Sequence, residues 1–432
     1  MYRYSIIATL VLLSTTGAAQ GVLTLEEAIN IALKNSLDIR ISRNTLESRI
    51  VANHISIAGG LPEVSASLTN NQSVTNLTQQ LSNGTTTKRP GNANNSTNAS
   101  LNGSFLLFNG FRVHAAKNRL AALEKQGEQL VNVQIQNVIA NVMLTYYDIV
   151  RQDSYIKTIR QSIEVTTQRK RLVEARQSVG LANNADTYQA QIDLNASEQE
   201  LQSQQLILNQ AKVDLMNLLT QRPDSSFTIR DTIVVDSLVN LAAVMENVAK
   251  NPELLSADQQ ISVNEAIARE VGAQRYPSVA INGGYTYSRS QNAAGFTLLN
   301  QNFGPYLGLS VQVPIFNGGL IRRQVRVADI DTRNSLLTRE TVFNTLRTSA
   351  ARAWEAYRNN LARLGTEREN NRIAADLLNL VIQRFNLGVG TIVDVREAQR
   401  SFVEAGYRLV NLAYAAKVSE VELKRLANQL GI

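Results

Sequence analysis

Apolar residues recur at every seventh position along four stretches of the chain. Ile135, Val142, Ile149, Ile156 and Ile163 make one series, and Phe343, Ala350, Tyr357 and Leu364 make another. Leu194, Leu201, Leu208 and Leu215 make a third, and Phe402, Leu409, Ala416, Leu423 and Leu430 a fourth. A seven-residue repeat lines one helix face with apolar side chains that a second helix must cover, the pattern of a coiled coil. The first two series lie in segments without proline, from Gly110 to about Gln177 and from Gly318 to about Asn386. At 1.5 Å per residue each segment makes a helix about 100 Å long. Shorter helices return from Asp186 to Thr220 and from Asp394 to about Leu430, after tips at Gly180 and Gly388.

Elsewhere the period falls to two. Val64 to Thr69, Ser100 to Phe105, Val279 to Tyr287 and Tyr306 to Val313 alternate apolar and polar residues. Strands of this kind have one dry face and one wet face. They predict one β-hairpin in each half, about 62–108 and about 277–316, with strands of about ten residues. That length suits a tilted membrane strand and a soluble hairpin equally. Gln72 to Asn98, crowded with Asn, Ser, Thr and Gly, reads as a surface loop. Each hairpin follows a helix, Leu23 to about Ala58 or Leu241 to about Gln274, and a proline, Pro62 or Pro277, ends each helical pattern. Thr24 and Glu27 form a capping box for the first of these.

The halves are copies of one plan. Phe108-Asn109-Gly110 recurs as Phe316-Asn317-Gly318, Gly180 as Gly388, Asp186 as Asp394, and Ala190-Gln191 as Ala398-Gln399. The offset is 208 residues each time. The expected boundaries are a first repeat over 20–220, a linker over 221–240 and a second repeat over 241–432. Within each half, one long helix is flanked by two of half its length. Four strands cannot close on themselves, and an open sheet edge is forbidden in lipid. If the strands lie in a membrane, several copies must share one barrel. Three copies supply twelve strands, within the known range.

Composition narrows the chemistry. With no cysteine there is no disulfide, thiolate site or lipid-modified cysteine, and with only His54 and His114 there is no multi-histidine zinc site. Neither histidine reads as a ligand. The formal charge is +7, but Lys and Arg are interspersed with acids, so no nucleic-acid partner is expected. Arg3, the apolar run Ile6 to Leu13 and Gly17-Ala18-Ala19 lay out a secretory leader over 1–19. Patterns for nucleophilic hydrolysis, phosphate loops, dinucleotide binding and zinc proteolysis are absent, and an enzyme is not expected. A periplasmic coiled-coil scaffold is the alternative, although it has no need of two apolar-alternating hairpins.

Over about Leu23 to Leu430 the chain resembles the TolC family of outer membrane efflux proteins. The resemblance rests on the duplication, on Val313-Pro-Ile-Phe-Asn-Gly-Gly319 and on Gly388-Val-Gly-Thr-Ile-Val-Asp-Val395. It implies a mainly α fold with a β-barrel part: antiparallel coiled coils forming a periplasmic α-barrel, with two hairpins per chain completing a 12-stranded transmembrane barrel in a homotrimer. Such a trimer is a passive exit duct in the outer membrane, docked at its helical tip on a periplasmic adaptor and an inner-membrane pump, with no cofactor. Phe227 to Val235 would belong to an equatorial belt.

The resemblance also nominates residues. Asp394 and Glu397, one helical turn apart, would make a ring of six carboxylates in the trimer, a cation-selective gate, with Asp186 as the first-half counterpart. From the residues alone, acids in a first helical turn complement the helix dipole. Gly180, Leu181, Gly388, Val389 and Gly390 would be the adaptor-docking tips. In the family's best-known member a Tyr and an Arg of the second hairpin latch onto the acid matching Asp186. Here those places hold Phe385 and Gly390, so that latch cannot form as such, and Arg176 and Arg384 are the nearby cations.

Overall fold

The structure, a computed structural model, describes residues 21–223, 227–295 and 297–430. The leader expected over 1–19 lies outside the described residues. The chain divides into two compact units. One takes the described residues up to Ser42, Asn132–Asn251 and those from Phe343 onward; the other takes Arg43–Val131 and Pro252–Val342.

The first unit is helical. It contains α1 (Leu25–Asn35), most of α3 (Arg112–Ser178), α4 (Asn184–Leu218), α5 (Leu241–Asn247), most of α7 (Leu320–Asn386) and α8 (Ile392–Leu426). The seven-residue stripes are its core. Val142, Ile149, Leu215, Ala350, Tyr357, Ala416 and Leu423 are all buried. Each large apolar side chain among them contributes roughly 1.5–3 kcal/mol by leaving water. A short parallel pair joins β1 (Gly21–Val22) to β4 (Phe227–Thr228). Buried Tyr146 fastens both, its hydroxyl reaching the Leu23 carbonyl at 3.1 Å and Asp231 Oδ2 at 2.5 Å.

The leading helix of each half is broken rather than continuous. The first stops at Asn35, and α2 (Leu37–Ala52) starts after Ser36, whose Oγ accepts from Ile39 N. The second is split between Lys250 and α6 (Pro252–Ala273), because Pro252 has no N–H to carry the ladder through. Apolar periodicity continues across both breaks, which hid them.

The second unit carries an antiparallel sheet in the order β2 (Glu63–Gln80), β3 (Thr86–Phe108), β5 (Ser278–Asn292), β6 (Leu299–Gln312). The first hairpin differs from expectation. The polar stretch Gln72–Asn98 is mostly paired strand, and the turn is confined to 81–85. Polar residues occupy both faces there, so hydrophobic alternation vanishes while backbone pairing persists. Amide side chains bridge the strands instead: Asn70 Nδ2 donates to Asn95 Oδ1 at 2.8 Å and to Thr97 Oγ1 at 2.7 Å.

The register sorts the sheet into two faces. One carries the rows Val64–Gly103–Gly283–Leu307, Ala66–Leu101–Tyr285–Pro305 and Leu68–Ala99–Tyr287–Phe303. The other carries Glu63–Ser104–Asn282–Gly308, Ser65–Asn102–Gly284–Tyr306, Ser67–Ser100–Thr286–Gly304, Thr69–Asn98–Ser288–Asn302 and Asn71–Ser96–Ser290–Asn300. Gly284 is required where it stands, since a Cβ there would lie 2.1 Å from the Leu101 carbonyl oxygen. Strands β2 and β6 each have one edge without a partner strand in the sheet. No described helix is long and apolar enough to cross a membrane.

Candidate gate and docking tip

The two helical tips are built alike. After α3, Gly180 takes φ +78°, and after α7, Gly388 takes φ +82°. Left-handed backbone of this kind ends a helix at little cost only with glycine. Each returning helix then opens on a capping box. Asp186 N donates to Asn183 Oδ1 at 3.0 Å, and Asn183 N donates back to Asp186 Oδ2 at 3.2 Å. Asp394 N donates to Thr391 Oγ1 at 3.2 Å, and Thr391 N donates back to Asp394 Oδ2 at 2.9 Å. The matching acids of the two halves therefore share a local task. Gly390 is tight, because a Cβ would come within 3.0 Å of Phe385 N.

Asp394 and Glu397 are both exposed, one turn apart on α8. Among the described residues, no hydrogen bond or ion pair joins either of them to Asp186 within one chain. The Thr391 backbone N–H, then its hydroxyl, and then the charge of Arg384 hold the Asp394 carboxyl below the usual range. Because the folded value is lowered, the contribution to stability is present above the unfolded pKa of about 3.9 and is lost as pH falls through the lower folded value. In thermal melts the gap between wild type and Asp394→Asn is expected to be widest at neutral pH and to close below about pH 3.9. A gap that instead widened towards acid would contradict the capping geometry.

At the tips, large apolar side chains stand in solvent. Leu181 is 78% exposed and Leu387 79%, with Val179 and Val389 similarly bare. Just inside them, Val173, Phe385 and Val395 form a small core with Leu172, Val381 and Ile392 around it. Arg176 closes this core from the first half. Its Nη2 donates to the Phe385 carbonyl at 2.5 Å, and its guanidinium lies 4.4 Å from the centroid of the Phe385 ring. Arg176, one of the two cations near the tip in sequence, thus binds Phe385, and the contact needs neither a hydroxyl at 385 nor a side chain at 390.

Further from the tip lies a polar layer that the sequence did not point to. Gln399 Nε2 donates to the Ser162 carbonyl at 2.9 Å, to Ser162 Oγ at 2.6 Å and to Thr166 Oγ1 at 2.7 Å. Buried Arg169 donates to Asp193 Oδ2 at 2.6 Å, and Arg396 approaches the same oxygen at 3.4 Å. Burial lowers the Arg169 pKa, and the charge of Asp193 opposes it. The available signal was a polar residue, Thr166, in the seven-residue series Ile159, Thr166, Val173. No group of described His, Cys, Asp or Glu is placed to hold a metal ion.

The profile of the outer membrane efflux protein family matches residues 28–221 and 244–429. The toxin and drug export protein A of Aggregatibacter actinomycetemcomitans is 24% identical over 356 residues, 78% of this chain and 76% of that one. The outer membrane efflux protein BepC of Brucella suis is 23% identical over 446 residues, 99% of this chain and 92% of that one. The crystal structure of the outer membrane protein VceC from Vibrio cholerae superposes with a TM-score of 0.74 at 19% identity, covering 93% of this chain and 96% of that one. That likeness establishes the fold.

Proposed function

This chain belongs to the outer membrane efflux protein family, and on that premise we propose that it is the passive, homotrimeric exit duct of a tripartite export system. The family is one of outer membrane channels rather than enzymes. The observation that carries the trimer is the sheet of four strands, with one apolar face and two unpartnered edges. In hydrocarbon each unsatisfied backbone group costs several kcal/mol, so the edges must meet those of other copies. Three copies close twelve strands into a barrel of ordinary size.

In this reading the exposed apolar tips at Gly180-Leu181 and Gly388-Val389-Gly390 take a periplasmic adaptor, which couples the duct to an inner-membrane pump. Asp394 and Glu397 form the acid ring, and Asp186 is its first-half counterpart.

Purified protein in a planar lipid bilayer is expected to give discrete, cation-preferring current steps that divalent cations block. Asp394→Ala with Glu397→Ala is expected to cut the cation preference and the block severalfold while the steps persist. Steps unchanged in the double variant would retain the duct and remove the ring. Protein that is soluble without detergent and forms no steps would overturn the duct itself.

A further inference from the structure

The two faces of the sheet differ in charge as well as in polarity. In the five polar rows every side chain is Ser, Thr, Asn or Tyr, or the position is Gly, with one exception, Glu63. No cation stands in those rows. The rows beyond them stay uncharged as far as Thr75 and Asn92 at one end, where a bulge precedes Arg89 and Lys88, and run on through Leu106, Ala280 and Ser310 at the other. The polar groups bond to one another sideways. Ser67 Oγ meets Ser100 Oγ at 2.8 Å, Tyr306 donates to Asn102 Oδ1 at 2.9 Å, and Ser288 donates to Asn98 Oδ1 at 2.7 Å.

Lipid fixes which face looks inward, because the apolar rows must meet hydrocarbon and the polar rows must meet water. An overall charge of +7 therefore leaves no cation in these five rows. Glu63 sits at the start of β2, opposite Ser104 and at the end of the strands where Phe108 leads on towards α3.

We propose that the barrel's inner wall between the Glu63 and Asn71 rows does not select cargo by charge, and that Glu63 alone, in three copies at the helix-side end of the strands, supplies whatever cation preference that stretch of wall has. The inference rests on the trimeric-duct reading. Past the Glu63 row, a solute meets hydroxyls and amides that donate and accept hydrogen bonds equally. Cations, anions and neutral polar molecules then pass on the same terms. The field of Glu63 does not reach far along the wall. Ser100 lies four residues beyond Ser104 on β3, about 13 Å away, and the screening length at physiological salt is about 8 Å.

The chain has no cysteine, so a single introduced thiol reports its own surroundings. Ser104→Cys and Ser100→Cys each exchange one heavy atom, oxygen for sulfur. In the membrane-reconstituted protein, each is modified with a cationic and an anionic methanethiosulfonate of similar size, and the rate ratio is corrected by that of a free thiol. At Ser104→Cys the cationic reagent is expected to be favoured at least about threefold, and Glu63→Gln is expected to bring the ratio to near one. At Ser100→Cys the ratio is expected to be near one with or without Glu63. A ratio at Ser104→Cys that ignores Glu63→Gln, or a strong bias at Ser100→Cys, would overturn the proposal while leaving the duct intact. Leu101→Cys is the control for the duct: it should resist both water-borne reagents. Equal reaction at Leu101→Cys and Ser100→Cys would mean that both faces are wet, and would sink the membrane reading together with the proposal.

Discussion

Glu420→Ala is expected to destabilise the helical unit by about 3–5 kcal/mol, the cost of stripping a buried charge of its partner. Glu420 is 1% exposed. Its carboxylate takes Lys417 Nζ at 3.0 Å on each oxygen, Lys424 Nζ at 2.8 Å and the backbone N–H of Asp236 at 2.9 Å. Tyr357, buried beneath, donates to the Asp236 carbonyl. One carboxylate thus fastens the linker before α5 to the C-terminal part of α8. Burial works to lower the Lys424 pKa, but its bonds to Glu420 and Asp236 outweigh that and raise it. Without Glu420, buried Lys417 loses its ion-pair partner. Glu420→Ala combined with Lys417→Met removes that orphaned charge and is expected to recover a large part of the loss. Urea unfolding followed by circular dichroism in detergent measures both. A single variant within about 1 kcal/mol of wild type, the scale of an exposed pair, would show that the network is wet.

Arg176→Ala is expected to favour the open tip by about tenfold. The side chain contributes one hydrogen bond to the carbonyl of buried Phe385, worth about 1 kcal/mol, and a cation–π contact worth about 0.5–1 kcal/mol. Together these come to about 1.5–2 kcal/mol, somewhat above the roughly 1.4 kcal/mol that makes a factor of ten in an equilibrium. The contact ties the first-half hairpin to the second-half hairpin within one chain. Its loss should therefore lengthen open dwell times in the bilayer record more than it lowers the melting temperature. Arg176→Lys retains the charge but not the planar stacking, and should fall between. Dwell times unchanged in Arg176→Ala would mean that the tip is held elsewhere, with the Gln399 and Asp193 layer the next to test.

Much of this protein was legible along the chain because its physics is periodic. Heptads name the helix faces, alternation names the strand faces, and a constant offset between Phe108 and Phe316 exposes the duplication. The wet and dry faces of the sheet follow from parity alone. Composition misleads at Gln72–Asn98: polar residues predict a loop, although a strand with polar residues on both faces has the same composition. Ser36 and Pro252 broke helices whose apolar pattern ran straight past them.

The sequence by itself determined which residues are apolar at which spacing, and so the elements, their pairing within each half and the impossibility of a closed barrel from one copy. It also singled out Asp394, Asp186 and the glycine tips as ends of helices. Only the tertiary structure decided what lies across from what. That Arg176 would find Phe385, that Gln399 would reach Ser162, and that Glu420, already within a turn of Lys417 and Lys424, would take the backbone of Asp236 depends on contacts between residues 209, 237 and 184 positions apart. Local propensity is blind to such contacts. A polar side chain in a helical stripe looks the same in sequence whether it faces water or a buried partner, and the difference between those two settings is the several kcal/mol that the packing supplies.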